Sequence, residues 1–134
     1  MGQFCTNPGL VIAIKSDGLD LYIDQLLANI KEVKPAKMLH KGIAKNFREN
    51  RSKAIAKDDV SVIYQSDVDL DEEKCVIIIA TVSGKSFLKN HQLHEEVFGP
   101  YSLLVVCEDE NELLAVAESL EGQLTTTLMA NQAD

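Results

Sequence analysis

Two runs of eight residues, "CVIIIATV" (Cys75 to Val82) and "YSLLVVCE" (Tyr101 to Glu108), constrain the fold of this chain more than any other feature. A strand with one wet face alternates apolar and polar residues. These runs do not alternate, so each reads as a central strand covered on both sides. A sheet buried on both faces needs helices, and the flanking sequence supplies them. In "SDGLDLYIDQLLANIKEVKP" the residues Leu19, Tyr22, Ile23, Leu26, Leu27, Ile30 and Val33 recur at three- and four-residue steps, and Pro35 closes the pattern. The segment from Ala36 to about Lys57 keeps helical spacing at Leu39, Ile43 and Phe47 but is more polar, which reads as a more exposed helix.

A third helix is expected in "DENELLAVAESLEG", where Asp109 can accept bonds from first-turn N–H groups. Glu112, three residues on, completes a capping box, and Gly122 can take the left-handed position past the end. "LVIAIK" (Leu10 to Lys15), "VSVIYQ" (Val60 to Gln65) and "QLTTTLMA" read as further strands. The order predicts an α/β fold, a largely parallel sheet with flanking helices.

At 134 residues the chain is one domain's worth of sequence, long enough for a hydrophobic core. Its net charge of −8 argues against nucleic acid, whose affinity rests on Lys and Arg neutralising phosphate. The basic run from Lys41 to Lys57 has helical spacing and reads as a solvated helix face. "DVDLDEEK" lacks the spaced ligands and glycine of a calcium loop and reads as a solvated connection. No apolar run approaches the ~20 residues that span a bilayer. No leader pattern is visible, so the expectation is a cytoplasmic protein without a membrane partner.

The three cysteines have no paired spacing, which offers neither a disulfide framework nor a zinc site. His91 and His94 have a step that suits a metal but no third ligand in register, so no metal is expected. Cys75 and Cys107 lie in apolar runs and read as core packing, whereas Cys5 lies in "GQFCTNPG", a glycine-bracketed polar loop where a thiol can reach solvent.

"GQFC" at one end and "NHQLHEEVFGP" near residue 95 together resemble the aldehyde dehydrogenase superfamily. In that superfamily a Gly-Gln-x-Cys loop carries the catalytic thiol and a Glu-Glu-x-Phe-Gly-Pro turn follows in the same domain. The form "GQFCTNPG" is similar to the NADP-using branch that includes 2-oxoglutarate semialdehyde and fatty aldehyde dehydrogenases. The resemblance covers essentially the whole chain. It implies an aldehyde substrate, NADP or NAD as cofactor, and a homo-oligomer. It also implies that Cys5 is the nucleophile, that Glu96 holds the nicotinamide ribose hydroxyls, and that Phe98 packs beside the nicotinamide. Gly99 and Pro100 set the turn, and Glu95 is a solvated neighbour.

The family's glycine-rich cofactor-binding domain, its general-base Glu and its oxyanion Asn have no counterpart here. Residues 1–134 are therefore expected to be a partial catalytic domain, with the cofactor-binding domain and C-terminal oligomerisation segment outside it, inactive alone. Two other readings stay open on the sequence: a non-catalytic α/β interaction module, and a cysteine hydrolase pairing Cys5 with a histidine.

Overall fold

A computed structural model describes residues 2–67 and 74–130. Most of "DVDLDEEK" lies outside the described residues. Among them four strands form one mixed sheet: β1 (Leu10–Ile14), β2 (Ser61–Gln65), β3 (Ile78–Ser83) and β4 (Tyr101–Cys107), in the order β1-β4-β3-β2. β4 runs parallel to both β1 and β3, while β2 joins the β3 edge antiparallel. The two runs without alternation do occupy the centre. Ile78, Ala80 and Val82 share one buried cluster with Tyr101, Leu103, Val105 and Cys107. Ile79 and Leu104, which alternate with them, are buried outside that cluster, so both faces of the central pair are covered.

Among the described residues four helices accompany the sheet: α1 (Asp17–Ile30), α2 (Lys41–Ile55), α3 (Gly84–Lys89) and α4 (Glu110–Ser119). Ser16 caps α1 by accepting from the Leu19 N–H at 3.2 Å. α1 ends at Ile30, before Pro35, and its stripe is only partly covered: Leu19 is buried, but Tyr22 is 49% exposed. α2 anchors through Ala44 and Phe47, both fully buried, although Leu39 lies outside the helix and is exposed. His40 belongs to the cap of α2 rather than its body: its Nδ1 accepts from the N–H groups of Gly42 (3.1 Å) and Ile43 (3.3 Å). α4 packs on β1, β4 and α3. Its Asp109 accepts from Glu112 N–H at 2.9 Å, and Glu112 in turn accepts from Glu108 N–H at 2.6 Å.

Three expectations are corrected. Residues 123–130, read as a final strand, join no ladder among the described residues and run exposed. A segment without a pairing neighbour forms no strand. Gly122 is not left-handed, because α4 ends by extending at Leu120 (φ −75°, ψ 133°). β3 begins at Ile78, so Cys75 precedes the strand, although it is buried as expected.

Candidate functional site

The loop before β1 and the turn before β4 meet through glycines. Gly2 has φ +65°, and a Cβ there would lie 2.3 Å from the backbone C and O of Gly99. Gly99 has φ +147°, and a Cβ there would lie 2.3 Å from the Phe47 ring. Backbone therefore stacks on backbone, over a buried aromatic, at a place that admits no side chain. Gln3 ties the same loop to the start of α2: its Oε1 accepts from Leu39 N–H at 2.6 Å and its Nε2 donates to Lys37 O at 3.4 Å. Ser102 Oγ donates to Pro8 O at 3.1 Å, which fastens the far end of the loop to β4. Between these anchors the chain turns, with Asn7 N–H donating to Phe4 O at 3.0 Å, and holds Cys5 exposed.

The acidic turn is built from the other side. A 3-10 turn at His91–Leu93 follows α3, with Asn90 Oδ1 accepting from Gln92 N–H at 3.1 Å. Leu93 is buried, and the His94 ring stacks on Phe87 with centroids 4.2 Å apart. His94 Nε2 lies 3.1 Å from Phe87 O, which fixes that nitrogen as the donor. Beyond it Glu95 and Glu96 are exposed, Val97 packs towards the core and Phe98 keeps 37% of its surface open. The acids thus stand at a wet rim, which lowers the cost of placing two carboxylates side by side.

Cys5, Glu96 and Phe98 line one cleft of about 460 Å³. Its apolar wall includes Leu10, Leu103 and Leu120, and Tyr101 lines it too. A second hollow of about 310 Å³ shares Glu95 and Glu96 with the first and carries Lys53 and Lys57, the latter donating to Gln92 Oε1. Residues far apart in the chain are thus brought to one opening, at the amino ends of β1 and β4. The volume is that of a small-molecule site.

The other cysteines face away from such chemistry. Burial, with Glu112 and Asp109 nearby, pushes the Cys107 thiol up to about 11. Burial also raises Cys75, against the lowering influence of Arg48 and Arg51. His94 lines the cleft but is engaged with Phe87, and no hydrogen bond joins Cys5 to a histidine among the described residues. Sequence reasoning did not assign Gly2 and Gln3 their anchoring roles, nor Tyr101 its place in the cleft. The repeated glycines in the two motifs were the available signal for the first.

No protein-family profile matches the chain. Alpha-ketoglutaric semialdehyde dehydrogenase 2 of Azospirillum brasilense is 39% identical over 135 aligned positions, covering 100% of this chain and 26% of that protein. Alpha-ketoglutaric semialdehyde dehydrogenase of Acinetobacter baylyi is 34% identical, covering 99% of this chain and 26% of that protein. The chain thus spans about a quarter of the length of both relatives.

Among solved structures, proline utilization A from Bdellovibrio bacteriovorus superposes with a TM-score of 0.74 at 17% identity, over 90% of this chain and 13% of that one. Aldehyde dehydrogenase 21 from Physcomitrella patens does so with a TM-score of 0.70 at 17% identity, over 89% of this chain and 25% of that one. These likenesses establish a shared fold, and the two relatives share sequence from end to end of the chain. This chain belongs to the aldehyde dehydrogenase superfamily and corresponds to about a quarter of the length of its curated relatives.

Proposed function

We propose that the cleft is the thiol and nicotinamide end of an NAD(P)-dependent aldehyde dehydrogenase site. The observation that carries this reading is the convergence of Cys5, Glu96 and Phe98 on one opening. The exposed Cys5 thiol, once deprotonated, adds through sulfur to the aldehyde carbonyl carbon and forms a thiohemiacetal. When bound, the nicotinamide cofactor accepts the hydride that leaves this carbon. The thioester left on Cys5 is cleaved by water, which releases a carboxylic acid and returns sulfur as the leaving group. The backbone N–H of Cys5 can donate to the developing oxyanion, a contact type worth about 3–4 kcal/mol.

The residues present suit the nicotinamide riboside portion of the cofactor. Glu96 offers acceptor oxygens to a sugar diol, and Phe98 offers a half-open aromatic face beside it. The sequence contains no glycine-rich strand-to-helix loop for the pyrophosphate, so that portion, together with the general base, falls to polypeptide beyond these residues. The substrate is an aldehyde, and the setting is cytoplasmic. Phe4, Leu124, Leu128 and Met129, each at least 72% exposed, are apolar side chains that another part of a larger assembly or a second copy would cover.

The test is a hybrid enzyme in which this chain replaces the matching quarter of the Azospirillum brasilense relative. Cys5→Ala in the hybrid is expected to remove both aldehyde oxidation and ester hydrolysis. Either activity surviving at the unsubstituted rate contradicts the reading.

A further inference from the structure

The thiol loop and the acid turn hang from one base, the helix α2. On the acid side, Gly99 closes directly over the buried Phe47 ring of α2. On the thiol side, the Gln3 side chain grips the backbone that leads into α2. Its Oε1 accepts from Leu39 N–H at 2.6 Å and its Nε2 donates to Lys37 O at 3.4 Å, so both ends of one planar amide are engaged. That backbone is itself fixed. Met38, between the two contacts, is buried in the core cluster, Lys37 forms a bridge with Lys74, and His40 caps the helix.

Gly2 touches Gly99 as well, but a chain held at one point can still swivel about it. Two bonds from one amide remove that freedom. Phe4, the next residue, is 76% exposed and packs the loop against little. The following tie among the described residues is Ser102 Oγ donating to Pro8 O, beyond the thiol. Gln3 is therefore the side-chain anchor that stands before Cys5, and the path from thiol to carboxylate runs through residues 37–39, α2, Phe47 and Gly99.

We propose that Gln3 is a positioning residue that sets where the Cys5 sulfur stands relative to Glu96 and Phe98. The proposal rests on Cys5 taking the aldehyde and Glu96 holding the nicotinamide ribose. It concerns the step in which those two must meet, when hydride leaves the carbon held on Cys5 for the nicotinamide. Acylation of Cys5 by an activated ester needs the thiol alone and does not depend on that alignment. An exposed hydrogen bond adds little to stability, whereas a displacement of about 1 Å at reacting atoms can cost about a hundred-fold in rate. Loss of Gln3 is thus a small event for the fold and a large one for hydride transfer.

The experiment compares the hybrid enzyme with its Gln3→Met and Gln3→Glu forms. Methionine keeps the length of the side chain without the amide, and glutamate keeps the acceptor for Leu39 N–H while losing the donor. In Gln3→Met, hydride transfer read as reduced-nicotinamide absorbance is expected to be about ten- to a hundred-fold slower. Acylation by the activated ester should stay within about two-fold. Gln3→Glu should fall between the Met form and the unsubstituted enzyme, with melting temperatures little changed throughout.

Equal slowing of both steps makes Gln3 a merely structural residue and overturns the proposal, as does hydride transfer at the unsubstituted rate. Neither result touches the reading of Cys5, which falls only if Cys5→Ala leaves the hybrid active. In the chain itself, hydrogen exchange at the Leu39 amide should be faster in Gln3→Met than in the unsubstituted form, with the core amide of Leu104 unchanged. The same rate at Leu39 in both chains would mean that the grip does not hold, and would overturn the proposal without any assay of turnover.

Discussion

Cys5 and Cys107 carry the same sulfur at opposite ends of the parallel strands, and their surroundings give them opposite chemistry. Cys5 sits before β1 in an exposed turn at the mouth of a cleft. Cys107 ends β4 with no exposed surface, under the capped first turn of α4. That end of the sheet is filled: a Cβ on Gly84 would lie 2.8 Å from the Glu112 carboxyl carbon and 3.1 Å from Cys107 Sγ. Ligands of open α/β sheets usually bind beyond the carboxyl ends of the strands. Here α4 and α3 close that end, and the cleft lies at the amino ends of β1 and β4. A thiol's reactivity follows from access and from what stabilises its charge, not from the residue type.

The largest expected effect separates the two cysteines. In the hybrid enzyme, Cys107→Ala is expected to keep turnover near the unsubstituted rate while costing about 1–2 kcal/mol in denaturant unfolding. Loss of turnover comparable to that of Cys5→Ala would break the distinction.

Next in size is Gly99→Ala, which forces a methyl into Phe47 at a left-handed backbone angle. It should cost about 2–4 kcal/mol in the same assay and should expose Cys5 to faster alkylation, since the loop loses its seat. Gly9→Ala, where a Cβ meets nothing within 4 Å, is the matched control.

Burial at both ends of β4 should also show itself in pH dependence. Cys107 is raised from 9.0 to about 11 and Tyr101 from 10.0 to about 12, both chiefly by burial. Between those limits the unfolded chain releases these protons before the folded chain does. Stability is therefore fully present below pH 9 and falls as pH rises towards 12. Unfolding midpoints measured at pH 8 and pH 11 should differ, and Cys107→Ala should reduce the difference. The smallest effect expected is from His40→Ala, about 1 kcal/mol, through loss of the α2 cap with the cleft unchanged.

The centre of the fold was legible because its cause is local and strong. Ile78 to Val82 and Leu103 to Cys107 need cover on both faces, and Asp109 with Glu112 announces the start of α4. α3 escaped notice because its six residues begin with glycine and show too few turns for a period. Gln123 to Ala130 misled because β-branched threonines suit a strand, yet a strand forms only where a neighbour pairs with it.

The site was legible only as two motifs. Composition and spacing alone left Cys5 an ordinary loop thiol. That Gly2 rests on Gly99 depends on backbone separation, and that Tyr101 lacks a partner depends on everything packed around it. Neither is written along the chain.

The central claim, that Cys5 takes the aldehyde and Glu96 holds the nicotinamide that faces it, is tested most directly by transient kinetics on Glu96→Gln in the hybrid enzyme. The expected result is slowed hydride transfer, read as reduced-nicotinamide absorbance, with acylation of Cys5 by an activated ester little changed. Hydride transfer at the unsubstituted rate would contradict the claim.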